Sequence, residues 1–356
     1  MTLHSDIRSL RSPPAPSNRW LNVAALLALV TAVVLVAVKN VGARDAGREF
    51  LNVSYDPTRE LYRELNKRFS VVHRSGGGRI LPIQQSHGGS SRQAAAVADG
   101  LAADVVTLAM YSDVDALRKR GLIAPGWSAR LPNNSLPYFS TIVFVVRRGN
   151  PRRIYDWPDL VGSGVSIVTP NPRTSGNGRL SFLAAWGAVL RRGGDDDAAR
   201  GYVSQLYEHV ASLEDGARAA TMTFAQEKVG DVHVTWENEA LFEVEESKGD
   251  LQVVYPPVSI RAEPYVAWVD KNVERKGTLS QAKAYLSFLY SEEAQDIIAQ
   301  KGYRPTSPEI QAKYRERFPP IDLFAITLVA RDWTDAQERF FSENGLFDAI
   351  QKTRPK

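Results

Sequence analysis

The sequence contains no cysteine. That excludes a disulfide framework, a thiol nucleophile, a cysteine-based zinc site and a lipid-modified cysteine as membrane anchor. Histidine is also scarce, at five residues, which leaves little material for a metal cluster. No G-x-S-x-G nucleophile elbow occurs. The formal charge of +4 is concentrated at one end: Arg8, Arg11, Arg19 and Lys39 oppose only Asp6 in the first 43 residues, so that segment carries +3 and the remainder +1. An excess of one charge over the rest of the chain does not make a duplex-binding surface, and no nucleic-acid partner is expected.

What is present suits a large folded protein. The 356 residues, 44% hydrophobic and 24% charged, can fill two domains with separate cores, and disorder as the main state is excluded. Trp20 to Val38 is an apolar run broken only by Asn22 and Thr31, and three arginines with a Pro/Ser-rich stretch precede it. This pattern reads as export into the cell envelope. Val41-Gly42-Ala43 suits signal-peptidase cleavage before Arg44, so residues 1–43 are a signal peptide, or, because the run nearly spans a bilayer, an uncleaved anchor.

Beyond Arg44, short β-branched runs alternate with amphipathic helical stretches, which predicts mainly parallel sheets covered by helices. Strands are expected at residues 51–55, 104–108, 142–146, 165–169, 232–236, 251–255 and 265–269, too many for one small sheet. Helical spacing places Leu61, Leu65 and Phe69 on one apolar face, Ala94, Val97, Ala98 and Leu101 on a second, and Leu183, Trp186, Gly187 and Leu190 on a third. Breaks at residues 131–140 and from Pro256-Pro257 to Glu263-Pro264 suggest a chain that crosses between two domains, leaving a cleft.

Four segments share one layout: a β-rich run, a turn of small or capping residues, then a helix. Such junctions gather at the carboxyl ends of strands, where open α/β sheets bind ligands. In the first, Asp56 suits an N-cap and Pro57 the first helical position. The second, Ser86-His87-Gly88-Gly89-Ser90-Ser91, opens a helix expected near Arg92; its glycines admit close backbone approach and its hydroxyls add donors, although taken alone it is an ordinary flexible turn. Thr169 to Gly178 ends in potential N–H donors at a helix N-terminus, which favours an anion, and the lack of a P-loop lysine speaks against a nucleotide. Trp236 places an indole N–H at the end of the fourth strand, where a core role is the plainer reading.

Taken together, these segments resemble the periplasmic sulfate-binding proteins of ABC importers. The residues that carry the likeness are Ser54 to Tyr62, Gln85 to Ser90, Ala103 to Ala109, Thr169 to Gly176 and Trp236-Glu237-Asn238-Glu239-Ala240. It continues through Asp113 to Ala116, Leu183 to Gly187, Ala262 to Pro264 and Tyr303 to Pro305, covering essentially everything after residue 49. The resemblance implies an α/β, two-domain periplasmic-binding-protein fold of type II: domain I from residues 49–137 plus 266–308, domain II from 138–265 plus 309–356, and a ligand cleft at the hinge. It implies a monomeric, non-enzymatic receptor in the periplasm that captures sulfate or thiosulfate without a cofactor or metal and delivers it to membrane permease subunits. The implied contacts are the Asp56 backbone N–H, Ser90, Ser175 with the amides of Gly176 and Asn177, the Ala217 amide and the Trp236 indole.

Two positions depart from the family pattern. Asn177 stands where a second glycine is usual, which keeps the amide and narrows the site. Ala219-Ala220 replaces the usual glycine and small hydroxyl residue after Gly216-Ala217-Arg218, which stiffens that loop.

The chemistry expected of such a site is simple. Sulfate at neutral pH offers only lone pairs, so a cavity of donors suits it, whereas phosphate usually keeps a proton and needs an acceptor. An unpaired buried polar group costs about 1–3 kcal/mol, which is the basis of selectivity. Two alternatives remain at this level: another tetrahedral oxyanion such as molybdate, or a serine-type hydrolase using Ser86, His87, Ser90 and Asp56.

Overall fold

The computed structural model describes residues 49–77 and 81–353. Trp20 to Val38 and the Val41-Gly42-Ala43 motif lie outside the described residues. All seven expected strands form, shifted at their ends by no more than two residues.

They are distributed over two sheets. The first contains β1 (Phe50–Tyr55), β2 (Ile83–Gly88), β3 (Val105–Leu108) and a late-returning strand, Tyr265–Trp268, in the order Tyr265–Trp268, β3, β1, β2. Its β1 is parallel to both β2 and β3, and only the returning strand is antiparallel. The second contains β4 (Ile142–Arg147), β5 (Ile167–Pro170), β6 (Val210–Glu214), β7 (Val232–Trp236) and β8 (Leu251–Val254), in the order β6, β5, β7, β4, β8. Here β5 pairs in parallel with β6 and β7, while β4 runs antiparallel to β7 and β8, so this sheet is evenly mixed. The antiparallel strands are those by which the chain enters or leaves each sheet.

Strand and helix composition follow from burial. In β4 the run Ile-Val-Phe-Val-Val is buried throughout, as befits a strand covered on both faces. Helix α1 (Arg59–Ser75) is instead two-sided, burying Leu61, Tyr62, Leu65, Asn66 and Phe69 and ending at Gly76. Helix α2 (Ser90–Ala98) follows β2 and α3 (Tyr111–Lys119) follows β3. In contrast, α4 (Gly176–Arg191) is buried almost all round, from Gly176 to Ala188. Gly187 makes that possible on one side, since a Cβ there would come 2.1 Å from the Phe324 ring. The second sheet is completed by α5 (Asp196–Glu208), α6 (Ala217–Thr221) and α7 (Glu237–Glu246).

Between the sheets the chain is tied at short extended contacts. Tyr138-Phe139 pairs with Arg304-Pro305, and Ser140 and Ala262 exchange two backbone hydrogen bonds of 2.9 Å each. A buried ion pair fastens this region to the second sheet: Arg304 donates to both oxygens of Glu237, the first residue of α7, at 2.7 and 2.8 Å.

Candidate functional site

Because β1, β2 and β3 are mutually parallel, their carboxyl ends share one edge of the first sheet, and β5, β6 and β7 do the same in the second. The two edges meet. A Cβ built on Gly89 would come 2.3 Å from the Thr174 carbonyl oxygen and 3.4 Å from that of Asp215. On Gly176 it would meet the Ala109 Cβ at 2.4 Å and the Ser90 Cβ at 3.4 Å, and on Gly216 the Asp56 Oδ2 at 3.0 Å. Glycine at 89 lets backbone approach backbone, and glycine at 176 leaves room for the Ala109 methyl group.

At this meeting line lie the seven residues singled out from the sequence. Asp56 opens a single turn of 3-10 helix with Pro57 behind it, and the capping position is Tyr55; Asp56 is thus the first residue of the turn and not its N-cap. Its carboxylate accepts from Arg59 at 2.6 and 3.1 Å and from the Arg218 backbone N–H at 3.4 Å. Ser90 is the first residue of α2, two positions before the expected start, because Gly89 adopts the extended conformation of the cap. Its hydroxyl accepts from the Ala109 N–H at 3.0 Å and donates to Asp113 Oδ2 at 2.5 Å.

Ser175 caps α4 in extended geometry without a side-chain cap bond, and Gly176 and Asn177 are the first two helical residues. All three are buried. First-turn amides of a helix have no intrahelical acceptor, so the N–H groups of Gly176 and Asn177 are available, and the helix end carries partial positive charge. The Asn177 side chain does not narrow the site as expected: its Nδ2 donates to Thr235 Oγ1 at 3.0 Å and its Oδ1 accepts from Ser181 at 3.3 Å, so it turns into the protein. Ala217 begins α6 after the extended Gly216, and its amide is equally free of an intrahelical acceptor. Ala219 and Ala220 are inside α6, which passes directly into one wider turn at residues 222–226.

Trp236 ends β7 with 0% exposure. Its ring lies 5.5 Å from that of Tyr55 at the end of β1, so the two sheet edges are joined by an aromatic contact. Among the described residues its indole N–H has no hydrogen-bond partner. A buried donor left unmade costs about 1–3 kcal/mol, which an acceptor placed beside it would recover.

Charged groups surround this set and are paired among themselves. Arg218 reaches Glu60 at 2.9 Å and Glu239 at 3.4 Å. Burial lifts the Glu239 carboxyl to about 8, with Arg218 opposing and Asp56 and Glu60 adding to the rise. A further buried pair, Arg179 with Asp113 at 3.0 Å, links α4 to α3. Neither was singled out from the sequence; Asp113 was visible only as part of the Asp113 to Ala116 motif.

Among the hydrolase candidates the geometry is different. His87 Nδ1 lies 2.9 Å from the fully buried Ser54 hydroxyl and its Nε2 2.6 Å from Gln85 Oε1, with no carboxylate on the ring. Burial holds its pKa down at about 4, and Arg59 adds to the depression. Ser86 pairs with Gln93 instead, because alternate residues of β2 face opposite sides.

Residues 26–304 match the sequence profile described as bacterial extracellular solute-binding protein. The chain belongs to that family. Among curated members of these solute-binding proteins, the thiosulfate-binding protein of Pseudomonas aeruginosa is 50% identical over 87% of this chain and 94% of its own length. The sulfate-binding protein of Escherichia coli is likewise 50% identical, over 89% of this chain and 97% of its own. Among solved solute-binding proteins, the sulfate-binding protein SubI from Mycobacterium tuberculosis superposes with a TM-score of 0.76 at 31% identity, covering 83% of this chain and 99% of that one. The architecture is therefore the type II periplasmic-binding-protein fold, with sheets flanked by helices. Among the described residues no helix is long and apolar enough to cross a membrane.

Proposed function

We propose that this protein captures a tetrahedral sulfur oxyanion, sulfate or thiosulfate, in the periplasm and delivers it to the permease subunits of an ABC importer. The observation that supports the reading is the buried Trp236 indole N–H, without a partner among the described residues; in this reading it acts with the amides of Asp56, Gly176, Asn177 and Ala217 and the hydroxyls of Ser90 and Ser175. These groups are donors, or hydroxyls able to donate, and a fully ionised dianion offers only acceptors. Charge-assisted bonds contribute about 1.5–3 kcal/mol each, so roughly seven cover the about 8 kcal/mol of a micromolar complex after desolvation and ordering costs.

Binding, not catalysis, suits this arrangement. The histidine that would activate a serine is engaged with Ser54 and Gln85, and Ser86 with Gln93. The presence of two sheets, one formed by residues 50–108 with 265–268 and the other by residues 142–254, supports the partition into residues 49–137 plus 266–308 and 138–265 plus 309–356. The Ser140 to Ala262 and Tyr138-Phe139 to Arg304-Pro305 contacts would then form the hinge, and closure around the anion would be selected by the ligand. Export is supported by the apolar run at residues 20–38; N-terminal sequencing of the exported protein tests it, an Arg44 start excluding a retained anchor.

Equilibrium dialysis with radiolabelled sulfate, competed by thiosulfate, molybdate and phosphate, tests the cargo. Displacement by thiosulfate at micromolar concentration supports the reading, whereas retention of molybdate in preference to both sulfur anions replaces it with the molybdate alternative.

A further inference from the structure

One side chain holds two of the strands that cross between the sheets. Tyr138-Phe139 pairs antiparallel with Arg304-Pro305, so the next step of that ladder would join the Thr306 N–H to the Pro137 carbonyl. Gln295 stands in that step instead. Its Nε2 donates to the Pro137 carbonyl at 2.8 Å and its Oε1 accepts from the Thr306 N–H at 2.7 Å, so one side-chain amide takes the place of the direct bond. The same Nε2 donates to the Leu289 carbonyl at 2.8 Å, and Oε1 also takes the Ser307 N–H at 3.2 Å. Gln295 is 1% exposed, so water does not compete for these groups. It belongs to the helix Glu292–Gln300, whose Glu293 pairs with Arg68 on α1, and is thereby fixed to the side of the first sheet. Towards the second sheet the crossing strands are held differently, by the backbone bonds between Ser140 and Ala262 and by Arg304 on Glu237.

We propose that Gln295 is the pivot of the hinge, the point about which the two sheets turn when the cleft closes on an anion. The inference rests on the reading of the cleft as an oxyanion site that closes. A ladder bond between two backbones fixes their mutual orientation, because both of its groups are locked in planar peptides. A side-chain amide carried on rotatable bonds can tilt while it keeps both partners, so bending concentrates there. The link also limits the bend, since Pro137 and Thr306 stay one amide apart in the open and the closed state. Without it the anion-free protein would sample more orientations, and the closed one would be a smaller fraction of them. The closed state itself is held by the anion and by the edge contacts of Gly89 and Gly176, so release of the anion does not depend on Gln295. Gln295 is thus a positioning residue, acting on the anion through the donors it brings together.

The test is Gln295→Met in the full-length exported protein, which keeps the buried volume and deletes the four bonds to backbone. Stopped-flow tryptophan fluorescence with sulfate is expected to show association slowed about fivefold, with dissociation within about twofold of the native rate. Small-angle X-ray scattering should give the anion-free variant a larger radius of gyration than the anion-free native protein, and the two radii should coincide with sulfate bound. Native association and native radii, with only a lower melting temperature, would make Gln295 a core residue and overturn the proposal. Faster release with unchanged association would also overturn it, because the link would then brace the closed state. Should Gln295→Met fail to fold, Gln295→Asn decides: its amide is one methylene too short to reach both strands, so slower association is expected again, and native rates overturn the proposal. Absence of sulfate binding in the native protein would sink the oxyanion reading alone, since the anion-free radii still test the pivot.

Discussion

Gly176 and Ala109 face each other across the two sheets so closely that a methyl group on Gly176 would come within 2.4 Å of the Ala109 Cβ. The first residue of α4 and the end of β3 can only meet in this way because one of them has no side chain. The contact brings the amide-rich start of α4 against Ser90.

Gly176→Ala is therefore expected to hold the two edges apart. Sulfate affinity should fall at least about tenfold while the melting temperature of the anion-free protein changes little, because the clash acts on closure and not on either core. Adding Ala109→Gly removes the colliding methyl and should restore most of the affinity. Failure of that rescue in titration would show that Gly176 matters for its backbone alone.

Trp236→Phe keeps the ring contact with Tyr55 and deletes the N–H. An affinity loss of about tenfold or more, with unchanged or slightly higher thermal stability, is expected from removal of a donor that is unsatisfied without ligand. A stability loss with unchanged affinity would place the indole in the core and outside the site.

His87→Ala separates binder from hydrolase. His87 is occupied by Ser54 and Gln85 and touches none of the proposed donors, so sulfate binding should stay within about threefold of the native value. A hydrolase reading requires instead a measurable ester-hydrolysing activity in the native protein that this substitution abolishes.

Glu239 makes stability depend on pH in a stated direction. Its carboxyl titrates near 8 when folded and near its ordinary value of 4.5 when unfolded, so between these limits the folded state holds one more proton than the unfolded state. Stability contributed by the protonated form is complete below about pH 4.5 and is lost as the pH rises towards 8. Glu239→Gln should melt higher than the native protein at the upper end of this window, with the difference vanishing at its lower end. Parallel melting curves at all pH values would contradict the assignment.

The buried pair of Arg304 with Glu237 ties the inter-sheet strands to α7. Arg304→Ala leaves a buried carboxylate without its cation and should destabilise the fold by about 3–5 kcal/mol in denaturant titration. A cost under 1 kcal/mol would mean that water reaches Glu237.

Much of the architecture is legible in the sequence because β-branched runs such as Ile142 to Val146 report burial directly. The strand Ile83–Gly88 escapes that logic: Gln84 is exposed, and Gln85, Ser86 and His87 carry polar side chains that find partners only in the folded protein, as His87 does in Ser54. Val210–Glu214 is hidden similarly, being an edge strand with a half-exposed polar end. At the site, the residues that offer backbone N–H groups can be found from strand-turn-helix layout and family likeness. Asp113 and Arg179 cannot, because their roles depend on α3 and α4 being brought together from positions 66 residues apart. The inward turn of the Asn177 side chain is equally invisible until Thr235 is placed beside it.

The central claim is that donors and no cation hold a dianion at the meeting line of the two sheets. Isothermal titration calorimetry of protein freed of anion by unfolding and refolding, with sulfate, thiosulfate and phosphate in a metal-free buffer, tests it most directly. The account predicts sulfur-oxyanion binding at micromolar affinity or tighter, with phosphate much weaker and chelators without effect. Folded protein that binds none of these anions, or that binds sulfate only after a divalent cation is added, would contradict it.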